Sequence, residues 1–353
     1  MNYQVSIKPS DKQFQAEPGQ TVLEAALAAN VVLPYGCKDG ACGSCKARIL
    51  DGEFEQGPHS SGALKPDEAD KGFALLCCGQ ARSDLVIEAR VLEGVGDIPI
   101  RKMPARVATL DRVADDVVVL KLQLPANEQL QYLAGQYIEI ILRDGSRREY
   151  SMGSAPHTSE QIELHIRHLP GGKFTESIFG ETKPAVKEKA ILRFEGPMGT
   201  FFLRDDSDKP IVMIASGTGF APIKAIIEEM VHKDNRRPVT LYWGGRRPAD
   251  LYLNDLCERW AAENPTISYV PVISDALPED NWTGRTGFVH QAAMQDFPDM
   301  SGHEVYACGA PIVVDSAHDD FVAQCALPED AFYADSFTTA ADAPDASETT
   351  PTA

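Results

Sequence analysis

Nowhere in the 353 residues do about 18 apolar residues run together, so no membrane-spanning helix is expected. The opening segment, MNYQVSIKPSDKQF, has no basic stretch leading into an apolar one, and no signal peptide is expected from it. Positive charge is scarce: 33 Lys and Arg residues face 52 Asp and Glu, a formal charge of −19. That balance repels nucleic acid and anionic lipid. It favours docking to a basic face on a partner protein, or serves only to keep a cytoplasmic protein dissolved. There is no internal repeat. There is also no nucleophile paired with a base, no carboxylate dyad and no hydrolytic metal motif, which turns attention away from hydrolysis.

What is present suffices for two or three domains, each with its own core. Residues 1–95 read as mixed α+β: a strand over 3–8, a second near Phe14, a helix over TVLEAALAAN and a closing strand in DLVIEARVL. Thr21 and Glu24 form a capping box at the start of that helix. Residues 100–205 hold many short alternating stretches, among them VVVLKLQL, QYIEIIL and IELHIRHL, which predict an antiparallel barrel or sandwich. Residues 206–337 change rhythm. Apolar strands (IVMIAS, VTLYWGG, ISYVPVIS, EVYACG) alternate with helical patterns, the mark of a parallel α/β sheet. Residues 338–353 are too polar to pack and are expected to be disordered.

Eight cysteines occur, five of them within the first eighty residues. In a chain of this length such crowding points to a metal or redox centre rather than a disulfide framework. Cys37, Cys42 and Cys45 have the spacing C-x4-C-x2-C, and Cys77 follows after 31 intervening residues. This is the plant-type [2Fe–2S] pattern. Gly36, Gly40 and Gly43 let the loop close on a cluster and aim N–H groups at its sulfurs. A four-cysteine zinc site is the competing reading, but such sites favour two short C-x-x-C pairs. The adjacent Cys77 and Cys78 cannot form one. Either of the two could be the fourth ligand; the resemblance to plant-type ferredoxins, which carry their fourth cysteine about six residues before the Ser83-Asp84 seen here, implies Cys77.

Further along, Arg148-Glu149-Tyr150-Ser151 follows an Asp-Gly turn. The stretch His165-Ile166-Arg167-His168-Leu169-Pro170-Gly171-Gly172-Lys173-Phe174-Thr175 comes next, then Gly196-Pro197-Met198-Gly199-Thr200-Phe201. His165 and His168 lie three apart on a strand, so they point to opposite faces and do not share a metal. After the apolar strand 211–215 comes Ser216-Gly217-Thr218-Gly219-Phe220-Ala221-Pro222, leading into a helix. Glycines there permit a tight turn, and a helix N-terminus offers free N–H groups to a pyrophosphate. Gly244-Gly245-Arg246-Arg247 with Asp250, Tyr306-Ala307-Cys308-Gly309 and Phe332-Tyr333-Ala334-Asp335-Ser336-Phe337 complete the series.

In this order the motifs resemble the ferredoxin–NADP reductase superfamily with a ferredoxin domain ahead of it. The chain is similar to reductase components of phenol, toluene and methane monooxygenases and of benzoate-type dioxygenases. It is still more similar to the CDP-6-deoxy-Δ3,4-glucoseen reductase group, on the loop 34–45 and on Trp282-Thr283-Gly284-Arg285-Thr286-Gly287. The resemblance implies three domains: a β-grasp ferredoxin domain, an antiparallel β-barrel for FAD and a parallel α/β domain for NADH, with NADPH as the other option.

It also implies roles. Arg148 pairs with the FAD pyrophosphate, Tyr150 packs on the isoalloxazine and Ser151 hydrogen-bonds its N5 edge. The stretch from His165 and Arg167 to Gly171, Gly172 and Thr175 cradles phosphate. Gly217, Thr218, Gly219 and Pro222 receive the nicotinamide dinucleotide, whose ribose Gly244, Arg246 and Asp250 bracket. Cys308 and Gly309 lie beside the nicotinamide, Asp335 relays a proton and Phe337 shields the flavin. The implied activity is transfer of electrons from NADH through FAD and the cluster to an acceptor protein, a dehydrase or an oxygenase component. Two alternatives are a flavin or ferric reductase serving small diffusible acceptors, and a redox sensor that turns nothing over.

Overall fold

The computed structural model describes residues 2–158 and 160–338. Most of the polar tail expected to be disordered therefore lies outside the described residues. The chain forms two compact units, one holding residues up to Pro99 and the other Ile100–Ser336, while Phe337 groups with the first.

In the first unit, five strands make a mixed sheet in the order Gln13–Ala16, Tyr3–Lys8, Leu85–Glu88, Lys46–Asp51, Phe73–Leu75. Tyr3–Lys8 runs parallel to Leu85–Glu88, and the other pairs are antiparallel. The helix Val22–Ala28 buries Val22, Leu23, Ala25 and Ala26. It starts where the capping box places it: Glu24 N donates to Thr21 Oγ1 at 3.2 Å, and Thr21 N donates to the Glu24 carboxylate at 3.0 Å. A helix held by a mixed sheet is the β-grasp expected from the sequence.

The second unit joins two sheets. Six antiparallel strands run in the order Arg147–Ser151, Tyr137–Ile141, Ile191–Met198, Arg101–Ala114, Val117–Gln123, Gln161–Arg167. A bridge between Met152 and Leu164 ties the two outer strands together and closes the barrel. Inward residues alternate along these strands and fill it, among them Val107, Leu120, Ile138, Leu164 and Phe194.

The second sheet is parallel throughout, in the order Arg285–Thr286, Ile267–Ile273, Val239–Gly245, Ile211–Ser216, Glu304–Gly309, Phe332–Ser336. Its central strands are apolar on both faces because helices cover both. Strand Ile211–Ser216 has Val239–Gly245 on one side and Glu304–Gly309 on the other, so the winding reverses there. A crevice opens at the carboxyl end of strands at such a reversal, and that is where open α/β sheets bind ligands. Of the helices against this sheet, Val289–Asp296 has no counterpart in the helical patterns read from the sequence.

Candidate active site

The cysteine loop lies in the first unit. Its thiols fall into two pairs. Cys37 N points to Cys42 Sγ at 3.4 Å and Cys42 N to Cys37 Sγ at 3.3 Å. Cys45 and Cys77 share a sulfur–sulfur hydrogen bond. Two thiols per iron is what a two-iron cluster requires. Among the described residues, no three Cys, His, Asp or Glu side chains gather as a single metal ion would need. Gly40 and Gly43 take left-handed φ values of +82° and +76°, and a Cβ at Gly36 would stand 3.1 Å from Cys42 Sγ. Cys78 also meets Cys77, and Gln56 Nε2 donates to its sulfur at 3.1 Å. The arrangement thus fits a [2Fe–2S] cluster on Cys37, Cys42, Cys45 and Cys77.

In the second unit, strand Arg147–Ser151 ends beside the carboxyl edge of the parallel sheet. Ser151 Oγ donates to Asp335 Oδ2 at 3.0 Å, and Cys308 Sγ lies 3.9 Å from the same oxygen. Cys308 and Asp335 are register partners on adjacent parallel strands, so the sheet itself sets their spacing. Desolvation raises the Asp335 carboxyl to about 6, although the Ser151 hydrogen bond pulls the other way. Burial pushes the Cys308 thiol well above its usual range, so it stays protonated. The result is a serine hydroxyl, a neutral thiol and a carboxyl that titrates near neutrality, all meeting where barrel and sheet join.

The turn 216–222 faces this group. Gly217 has φ +52°. A Cβ on Gly219 would stand 2.3 Å from the Cys308 carbonyl oxygen, and one on Gly309 would stand 2.1 Å from Ser216 Oγ. The turns after the two central strands therefore touch backbone to backbone, and only glycine permits it. Trp243 Nε1 donates to the Gly217 carbonyl at 3.1 Å and stacks on Phe220 with centroids 3.9 Å apart. The helix Phe220–His232 begins directly after the turn, with Pro222 in its first turn.

Other expected residues are placed as follows. Tyr150 packs against Phe174, centroids 5.5 Å apart. Its neighbour Arg147 is taken up by Glu139 and Glu195, whereas Arg148 pairs with no carboxylate among the described residues and donates only to the Arg147 carbonyl. A guanidinium left free on a barrel strand suits a phosphate. Arg167 pairs with Asp116 at 3.2 Å, and its guanidinium lies where a Cβ on Gly217 would fall, so it reaches the nicotinamide turn. Asp250 Oδ2 accepts from the backbone N–H groups of Arg246 and Arg247 at 2.7 and 3.0 Å and so closes the Gly244-Gly245 turn. Thr218 lies in the 3-10 turn 217–219. Phe337 directly follows the strand Phe332–Ser336 and is half-buried.

Two expectations are corrected. His165 is buried, with Nε2 bonded to Glu163 at 2.9 Å and Nδ1 to the Tyr252 hydroxyl at 2.8 Å. Burial lowers its pKa, and its side chain has no group left for a phosphate. In the turn 169–175 the donors are spent internally. Thr175 Oγ1 donates to the Leu169 carbonyl, Gly171 N to Glu176 and Gly172 N to the Leu169 carbonyl. A seven-residue helix follows this turn, and its orphan N–H groups must find partners nearby. His165 and His168 are indeed separate, since His168 stands against Glu181 and Phe179.

Family models match all three parts: the 2Fe-2S iron-sulfur cluster binding domain over residues 5–82, the oxidoreductase FAD-binding domain over 104–203 and the oxidoreductase NAD-binding domain over 213–319. The chain is 40% identical over 337 residues to the CDP-6-deoxy-L-threo-D-glycero-4-hexulose-3-dehydrase reductase of Yersinia pseudotuberculosis, covering 96% of this chain and 99% of that one. The chain belongs to the iron–sulfur flavoprotein reductases. The reductase is also 35% identical to terephthalate 1,2-dioxygenase reductase component 1 of Comamonas, over 96% of its own length and 98% of that protein. A solved cytochrome P450 reductase of Amycolatopsis superposes with a TM-score of 0.74 at 31% identity, covering 96% and 99% of the two chains. The cofactors of the reductase are a [2Fe–2S] cluster, FAD and a nicotinamide dinucleotide. No helix among its described residues is long and apolar enough to cross a membrane.

One part of the reductase was not read from its sequence. Lys224, in the helix after the nicotinamide turn, is buried. Its ammonium donates to the Gly153 carbonyl at 3.0 Å and meets Glu163 at 3.1 Å and Glu228 at 2.9 Å. Gly153 lies two residues past Ser151, so this lysine ties the flavin strand to the nicotinamide helix. Burial alone would raise Glu163, but the His165 hydrogen bond and the Lys224 charge outweigh it and hold its carboxyl at about 2. The only hint in the sequence was one lysine inside the apolar run APIKAII. Lys224→Met leaves the buried Glu163 with only the more distant Lys121, at 3.8 Å, and is expected to destabilise the second unit by about 3 kcal/mol. Urea unfolding of the holoprotein, followed by flavin fluorescence, measures the loss.

Proposed function

We propose that the protein passes electrons one at a time from NADH, through its own flavin and cluster, to a separate acceptor protein. The observation that carries this is the meeting of Ser151, Cys308 and Asp335 at the barrel–sheet crevice in a chain that also sets Cys77 against a loop of three cysteines. When bound, the nicotinamide supplies two electrons together, FAD divides the pair and the cluster carries single electrons.

The residues of the chain position these groups. Arg148 holds the FAD pyrophosphate, Tyr150 covers the ring and the Ser151 hydroxyl marks its reactive edge. Gly217, Thr218, Gly219 and Pro222 seat the dinucleotide at a helix N-terminus, with Arg167 alongside. The Cys308 thiol borders the nicotinamide without adding charge. Asp335 holds or releases a proton through Ser151, which its elevated pKa suits near neutrality. The aromatic cover assigned to Phe337 rests on its place two residues after Asp335.

The acceptor we favour is a 3-dehydrase of deoxysugar synthesis, because the 40%-identical relative is named as the reductase of one. An oxygenase component is the other candidate, after the Comamonas relative. A cluster held by thiolates and four further cysteines outside any disulfide suit a reducing compartment, and we place the protein in the cytoplasm.

Anaerobic titration with NADH tests the reading. Bleaching of the flavin bands together with a rhombic low-temperature EPR signal is the expected result. Bleaching with no such signal in a protein that contains no iron would reduce it to a plain flavin reductase.

A further inference from the structure

The end of strand Val239–Gly245 carries two adjacent arginines, Arg246 and Arg247. It lies one strand away from the nicotinamide turn, at the carboxyl edge of the sheet. In dinucleotide sites an acidic residue at this kind of position engages a ribose 2′-hydroxyl, and an arginine accommodates a 2′-phosphate. Two arginines by themselves would point to NADPH.

The structure shows where one of them goes. Arg247 is gripped by Asp280 through a bidentate pair, Nε to Oδ2 at 2.8 Å and Nη2 to Oδ1 at 2.7 Å. Such a fork uses the donors that a phosphate would need. The Asp280 side chain is largely buried, and its Oδ2 also accepts from Leu277 N at 2.8 Å, which closes the turn Pro278–Asp280. The loop bearing Asp280 is fastened to the arginine turn by its backbone. Ser274 N donates to the Gly245 carbonyl at 2.9 Å and Asp275 N to the Arg246 carbonyl at 3.0 Å. Asp280 is therefore held against Arg247 by a braced loop.

Charge points the same way. Three carboxylates, on Asp275, Glu279 and Asp280, lie about the Arg247 guanidinium, and a fourth, on Asp250, caps the backbone N–H groups of Arg246 and Arg247. A 2′-phosphate would bring about two more negative charges to a rim that is already acidic. A 2′-hydroxyl brings none.

We infer that Asp280 is a specificity-determining residue: by occupying the Arg247 fork it reserves the adenosine end of the site for NADH and turns NADPH away. This rests on the electron-transfer reading above and adds to it the choice of nucleotide.

The test compares kcat/KM for NADH and NADPH in the full holoprotein with ferricyanide as acceptor. The wild type is expected to favour NADH. Asp280→Asn keeps the size of the side chain but removes its charge, and should move the ratio toward NADPH by about tenfold, the worth of one freed charge-assisted contact. Adding Arg247→Met to Asp280→Asn should return the ratio to its wild-type value, which separates release of the arginine from loosening of the turn. A wild type that prefers NADPH would overturn the inference. So would a ratio unmoved by Asp280→Asn, or one that stays shifted in the double variant. If neither nucleotide reduces the flavin in the wild type, the electron-transfer reading falls and the inference with it.

Discussion

Cys42→Ser abolishes electron delivery to the acceptor protein and leaves ferricyanide reduction by NADH running. Cys42 faces Cys37 across two N–H to sulfur contacts, and its own thiol lies 3.4 Å from Ser44 Oγ. Removing it takes away one of the four thiolates that would hold the cluster. The expected loss is at least about a hundredfold, the upper end of what changes outside the ligand shell cost metal sites. Apart from Phe337, the flavin and nicotinamide residues lie in the other compact unit, with their own core. Iron and sulfide content, cytochrome c reduction and ferricyanide reduction, measured on one preparation, check the claim. If ferricyanide reduction disappears while FAD is retained, the division of labour proposed here is wrong.

Asp335→Asn slows NADH oxidation by about a hundredfold, the lower range of what a positioned proton donor contributes. It should also make the protein more stable at neutral pH. The folded carboxyl keeps its proton up to about pH 6, whereas an ordinary aspartate titrates at 3.8. Between those values the folded state binds more protons than the unfolded one, so stability falls as pH rises through the window. The full penalty, about 3 kcal/mol from roughly two pKa units, is in force above the window. Asp335→Asn escapes it. Its gain in denaturant midpoint should be largest at pH 8 and vanish near pH 4. An equal gain at both values would mean that the carboxyl is not held proton-rich by its surroundings. Lower activity with higher stability is the usual exchange at a desolvated site.

Much of the fold could be read in advance because its causes are local. The Thr21–Glu24 box works over three residues, and alternation in the second half of VVVLKLQL or unbroken apolarity along IVMIAS reports burial at once. The helix Val289–Asp296 escaped because VHQAAMQD mixes polar and small residues, and its burial is set by the sheet it covers. The site divides in the same way. Gly217 and Gly219 betray a tight turn by themselves, but Ser151 and Asp335 stand 184 residues apart and came together only through family resemblance. His165 was misjudged for the converse reason. Its partners include Tyr252, 87 positions away, which no pattern around His165 reveals. Asp280 was invisible for the same cause, since its meaning depends on a loop folding back onto Arg247.

The 184-residue interval between Ser151 and Asp335 also sets a schedule. At ordinary translation speeds of about 5–20 residues per second, roughly ten to forty seconds pass between the synthesis of one partner and of the other. During that time the barrel strands can close, since Met152 and Leu164 are both already made. The carboxyl is not yet there. A ribosome-bound chain can therefore hold the flavin fold before it can draw current from the nicotinamide pool. The last strand of the sheet acts as the switch that connects the circuit.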